Sequence, residues 1–102
     1  MDNQKKTKEY LLHPYKVWTK IDSIKSRIKV KILCMLIECG ELNVGDISDR
    51  IAESQSCVSQ AVLALYADDI VERREEHPFR YYSVSDCNKK DLSSIFNNLI
   101  NL

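Results

Sequence analysis

Glycine and proline are scarce: the 102-residue chain has two of each. That shortage argues against an all-β sandwich, which needs a tight turn between most strands. No apolar run reaches the roughly 18–20 residues of a membrane span, so no membrane partner is expected. The opening MDNQKKTKEYLLHPYKVW has no apolar core of a secretory signal, and a cytoplasmic location is the expectation. Histidine is limited to His13 and His77. The four cysteines, Cys34, Cys39, Cys57 and Cys87, form no CxxC pair and match no zinc spacing. Free thiols are the default in a cytosolic chain. There is no nucleophile–base pairing, no phosphate-binding glycine loop and no metal constellation, so neither an enzyme nor a cofactor is expected.

What is present is segregated charge. Residues 1–31 carry nine Lys/Arg against three Asp/Glu, a net of +6, and residues 32–102 carry six against twelve, a net of −6. The basic stretch is either an arm that meets a polyanion or a solvated first helix. His13-Pro14 interrupts it. The division expected is a basic N-terminal arm over 1–13 and one domain over 14–102 that includes its dimerisation helices.

Apolar spacing supplies the elements. A helix starts near Pro14. A second runs from about Ser26 to Glu38, with Ile28, Ile32, Met35, Leu36 and Cys39 on one face and Gly40 at a left-handed cap. ELNV can add one rung to a sheet. Asn43 caps a short helix, Val44 to Ala52, and Ser54 caps the next, which runs to about Asp68. In that helix Val58, Ala61, Val62, Leu65 and Tyr66 form the core stripe. DIVERREEHPFRYYSVS reads as a β-hairpin with a charged tip at Arg73 to His77. Asp86 caps a last helix whose stripe is Leu92, Ile95, Phe96, Leu99 and Ile100. So apolar a stripe must be buried, and a second copy of the chain is the natural cover. The apolar residues Tyr10, Tyr15, Val17, Trp18 and Ile21 of the first segment would share that interface.

A short helix, a tight turn and a helix opened by small polar residues make a helix-turn-helix. Val58, Val62 and Leu65 anchor the second helix, and Gln55, Ser56, Ser59 and Gln60 stay at its wet end. Amides and hydroxyls there can pair with base edges in the major groove of double-stranded DNA. An ordinary polar surface turn is the competing reading. The fold expected is mainly α with a small β-hairpin, in the order α-α-(β)-α-α-β-β-α.

KVKILCMLIECGELNVGDISDRIAESQSCVSQAVLALYADDIVERREEHPFRYYSV, Lys29 to Val84, resembles the ArsR/SmtB family of winged-helix repressors, closest to its HlyU-like branch. The resemblance implies a homodimer built on the first and last helices, with Trp18, Leu92, Ile95, Phe96, Leu99 and Ile100 at the interface. It implies reading helices in successive major grooves and a wing over 72–82. By position, Gln55, Ser56, Ser59 and Gln60 would face DNA, and Arg73, Arg74 and Arg80 would belong to the wing. Lys5, Lys6 and Lys8 would add phosphate contacts.

The departures are informative. Metal-sensing relatives carry a Cys pair where this chain has Asn43 and Gly45. The last helix has no His, so no metal site is expected. Redox-sensing relatives pair a Cys of the second helix with one of the last, which points to Cys34 and Cys87. The competing reading makes Cys34 a small buried hydrophobe. Cys57, in the first turn of the reading helix, is a further redox candidate, because a helix N-terminus favours thiolate. Ala61, Tyr66 and Ala67 stand where relatives carry His or basic residues, and Asp69 replaces a capping Gly. The function expected is a DNA-binding transcriptional regulator, a dimeric repressor. The alternative is a winged-helix protein-interaction module with little DNA binding, an antagonist of another regulator.

Overall fold

A computed structural model describes residues 14–101. The arm over 1–13, with Lys5, Lys6, Lys8, Tyr10 and His13, lies outside the described residues. Five helices and three strands follow in order: α1 Pro14–Lys25, α2 Arg27–Cys39, β1 Glu41–Asn43, α3 Val44–Ile51, α4 Gln55–Ala67, β2 Val71–Glu76, β3 Phe79–Val84 and α5 Asp86–Ile100.

Pro14 sits at the first turn of α1, where a missing N–H costs nothing. Ser26 breaks α1 from α2 and caps the latter, accepting from the Lys29 N–H at 3.3 Å. The inward face of α1 is polar. Thr19 and Ser23 are buried, and their hydroxyls donate to Lys16 O and Thr19 O, each at 3.0 Å. Tyr15, Val17, Trp18 and Ile21 are left exposed, Trp18 by 58%. The helix has its greasy side outward, and only its hydroxyl–backbone bonds make the polar side fit to pack.

The three strands form one antiparallel sheet in the order β1-β3-β2, with Leu42 opposite Tyr82 and Arg74 opposite Tyr81. Thus ELN does add its rung. The sheet, α2, α3 and α4 close on one core, in which Ile32, Leu36, Ile47, Val62 and Leu65 are essentially inaccessible. Each such side chain contributes about 1.5–3 kcal/mol of burial.

Several expectations need correction. In α2 Leu33 is buried alongside Ile32 and Leu36, while Cys39 is exposed at the last turn. The helix interior needs a wider stripe than the one first traced. Cys34 is exposed too, rather than a buried core hydrophobe. Gly40 does end α2 with positive φ, but at φ 90 and ψ −72, outside the left-handed helical well. The cap of α5 is Ser85, which accepts from the Asn88 N–H, and Asp86 belongs to the first turn. The hairpin tip is His77-Pro78, and Arg73 to Glu76 lie within β2. Leu92 is fully buried inside the protomer, so it is core rather than a surface offered to a second copy. Beyond it the stripe emerges: Ile95 and Phe96 are half-buried, and Leu99 and Ile100 are exposed, Ile100 by 79%.

Candidate nucleic-acid interface

Two turns position the reading helix. Asn43 caps α3 by accepting from the Asp46 N–H at 2.8 Å. Ala52, left-handed at φ 57 and ψ 48, ends α3. The Ser48 hydroxyl then donates to Glu53 O at 2.6 Å, fastening the connection from inside. Ser54 caps α4, accepting from the Cys57 N–H at 3.1 Å. Val58, Ala61, Val62 and Leu65 are buried at the i, i+3, i+4, i+7 spacing that makes one face.

That anchoring leaves the N-terminal turn wet. Gln55, Ser56 and Gln60 are exposed, and Ser59 is half-buried beside them. The structure thus brings together the four side chains picked from sequence at one end of α4. No residue of α4 carries a charge, so the helix itself offers hydrogen bonds but no ion pair to a polyanion.

The wing supplies the cations, and each already has an intramolecular partner. Arg73 lies over the Tyr66 ring, 4.4 Å from its centroid, which ties β2 to the end of α4. Arg74 donates to both carboxylate oxygens of Glu41 and, at 2.7 Å, to Glu76. Its guanidinium also lies 4.9 Å from the Tyr81 centroid. Hydrogen bonding from Arg74, and then its charge, hold the Glu41 carboxyl below the usual carboxylate range, and the same bonds push Arg74 up. Arg80 donates to Glu75 at 3.1 Å. A phosphate meeting this wing has to compete with carboxylates for Arg74 and Arg80. Next to α4, Lys31 pairs with Glu53 at 2.9 Å.

Between α4 and the wing runs a groove of about 670 Å³. Gln55, Ser59 and Leu63 form its helix side, and Glu75, Phe79 and Arg80 are among its wing side. Leu63 and Phe79 are exposed by 46% and 52%. Sequence reading noted Tyr66 but missed Phe79, Glu41 and the role of Tyr66 as a seat for Arg73. Glu41 is 33 positions from Arg74, and no local pattern links them.

The cysteines are dispersed over α2, α4 and α5, and all four are free and exposed. Partial burial pushes the Cys34 thiol up. Cys39 is 3.6 Å from Met35 Sδ and receives the Arg50 guanidinium at 3.6 Å. Among the described residues no cluster of three His, Cys, Asp or Glu side chains is placed to hold a metal ion. Nor, among them, is any helix long and apolar enough to cross a membrane.

A capped helix-turn-helix set between the strands of a three-stranded antiparallel sheet, β1 before it and β2 and β3 after it, with a closing helix, defines a winged helix-turn-helix protein. Residues 26–73 match the family model for bacterial regulatory protein, arsR family. Over that stretch the chain is similar to that family. It is 35% identical over 71 residues to the transcriptional activator HlyU of Vibrio cholerae serotype O1, a match covering 70% of this chain and 65% of that protein. The solved structure of HlyU from Vibrio cholerae N16961 superposes with a TM-score of 0.74 at 29% identity, covering 87% of this chain and 96% of that one. The transcriptional regulator HlyU from Vibrio vulnificus CMCP6 gives 0.72 at 25% identity, over 97% and 98% of the two chains.

Proposed function

We propose that the chain is a sequence-specific regulator of transcription that binds double-stranded DNA as a homodimer. The observation that carries this reading is the wet N-terminal turn of α4, with Gln55, Ser56, Ser59 and Gln60 on an anchored helix. Such a turn enters the major groove, where amides and hydroxyls discriminate base edges. The wing over 72–82 lies along the adjoining backbone, with Arg73, Arg74 and Arg80. Lys5, Lys6 and Lys8 add sequence-independent contacts to phosphate. The similarity to a protein named a transcriptional activator supports the regulatory role. Whether the protein acts as a repressor depends on where its site lies: bound across a promoter, it blocks polymerase, and repression is the sign proposed here.

The dimer follows from two apolar faces that no described residue covers. The outward side of α1, around Trp18, and the emerging stripe of α5, with Ile95, Phe96, Leu99 and Ile100, are too apolar to stay in water. Joined about a two-fold axis, they form one self-complementary interface.

Selection of bound fragments from genomic DNA tests the proposal. The expected product is an imperfect inverted repeat, with affinity that falls steeply with salt. Recovery of no fragment above random duplex, even at low salt, would overturn it.

One observation favours a second reading. Leu63 and Phe79 are exposed in the groove, while all three wing arginines are engaged internally. An apolar segment of another protein suits such a groove better than a phosphate strand does. Under that reading the unmodified chain binds duplex DNA only weakly, and Leu63→Ala and Phe79→Ala abolish the interaction with that protein.

A further inference from the structure

The last helix is tied to the reading module at two points on one face. Leu92 is fully buried in the shared core. Four residues earlier, the Asn88 side-chain amide donates to two consecutive backbone carbonyls, Asp69 at 3.0 Å and Ile70 at 3.3 Å. Those carbonyls belong to the turn that ends α4, where the Asp69 N–H returns to Tyr66 O at 3.1 Å and the Ile70 N–H to Leu65 O at 2.9 Å. Asp69 stands there at φ 60, a conformation that persists in a non-glycine residue only where its surroundings hold it. The backbone N–H of Asn88 is satisfied by the Ser85 cap at 3.4 Å, so its side chain is available to reach across.

Residues four apart lie on the same side of a helix. One apolar pin would leave α5 able to pivot. A second pin a turn away fixes both its rotation and its register against the turn that follows α4. The ion pair Lys20–Asp91, at 3.9 Å, connects α5 to α1 instead and says nothing about α4.

We propose that Asn88 is a positioning residue that sets the orientation of the reading helix relative to the dimer axis, and so the half-site spacing the protein accepts. The proposal rests on the dimeric DNA-binding reading above. In a dimer built on α1 and α5, a tilt of α4 against α5 is repeated by the two-fold axis. It moves the two reading helices in opposite senses. Holding this one contact therefore holds the distance between them.

Asn88→Asp keeps the size of the side chain and removes both donors. The unmodified protein and this variant are offered duplexes with two inverted half-sites at every separation near one helical turn, about 10 base pairs. The unmodified protein is expected to prefer one separation sharply. In N88D the preference for that separation falls about tenfold, the scale that two lost hydrogen bonds set, while base preferences within each half-site stay the same. A change in stability alone would weaken all separations equally. A second measurement needs no DNA. With Cys34, Cys39, Cys57 and Cys87 each replaced by Ser, a spin label attached through Gln60→Cys reports the distance between the two reading helices. That distance is expected to be narrowly distributed, and broad once Asn88→Asp is added. An unchanged spacing preference, or an unchanged distance distribution, would overturn the role of Asn88. If the unmodified protein selects no duplex, the DNA reading fails, and the spin-label distances still decide on Asn88.

Discussion

Arg74 and Glu41 are joined across the full width of the sheet, Nε to Oε2 at 3.1 Å and Nη2 to Oε1 at 2.9 Å, over the Tyr81 ring of the central strand. A bidentate arginine–carboxylate pair of this kind fixes direction as well as distance. It ties the wing to β1 and hence to the start of α3. The Glu41 carboxyl is held below its usual value of 4.5 in the folded chain. The contribution of the pair is therefore fully present above that pH and fades as pH falls through the lowered value. Both partners are exposed, so its larger effect is on where the arginine points.

On the proposed DNA-binding reading, that geometry makes Glu41 a brake on phosphate contact by Arg74. Glu41→Gln removes the bidentate acceptor and leaves Arg74 able to take a phosphate. Affinity for the selected site should rise at low salt, and the slope of log affinity against log salt should steepen by about one unit per dimer half, as expected for one more phosphate contact. Titrations at three or four salt concentrations measure it. An unchanged slope means that Arg74 does not face the backbone.

The reading helix should carry base discrimination through its second turn. Ser59→Ala or Gln60→Ala is expected to cost about 1–3 kcal/mol at the selected site if the side chain makes a good base contact. Affinity for random duplex should change little. If both variants bind the selected site as the unmodified chain does, α4 does not read the groove with this face.

The dimer prediction is sharpest at side chains that the protomer does not bury. Leu99 and Ile100 are exposed, so Leu99→Asp with Ile100→Asp costs the isolated fold little. The expected product is a soluble monomer with its helix content intact, measured by light scattering and circular dichroism. A double variant that remains dimeric would show that the end of α5 lies outside the interface.

All four cysteines are exposed residues, but the Cys34 thiol is partly buried, so its rate reflects desolvation as well as access. Cys57 sits in the first turn of α4, while burial pushes the Cys34 thiol up. Alkylation at neutral pH is expected to be slower at Cys34 than at Cys57, because burial disfavours the Cys34 thiolate. Mass spectrometry of partially labelled protein ranks them. If Cys57 is the slower of the two, a redox input acting directly on the reading helix has no chemical basis.

Periodic elements were legible from sequence alone. The buried set of α4 was read almost residue for residue, and Asn43 and Ser54 were recognised as caps because short polar side chains before apolar periods have little else to do. The ends of the chain were less legible. Nothing local showed that Thr19 and Ser23 would turn inward while Trp18 turned out, since their hydroxyls are satisfied by α1 itself. The wing arginines were found, but their partners Glu41 and Tyr66 come from other elements, and only the sheet order brings Glu41 near. Asn88 fell between the expected cap and the first residue of the apolar stripe of α5. Its partners are main-chain carbonyls, which every residue has and no pattern marks.

Ala52 ends α3 in the left-handed well, at φ 57 and ψ 48, where its methyl group works against the conformation it holds. That placement costs an L-residue about 1–2 kcal/mol, and glycine would avoid the cost while giving back roughly half of it as freedom in the unfolded chain. Alanine and glycine codons differ by one base. A single nucleotide change therefore lies between this protein and a version expected to melt a few degrees higher, roughly 4–8 °C for each kcal/mol gained in a domain of this size. Scanning calorimetry of Ala52→Gly reads that gain directly. The turn between the two helices of the reading motif is thus where the chain keeps thermal headroom it has not used.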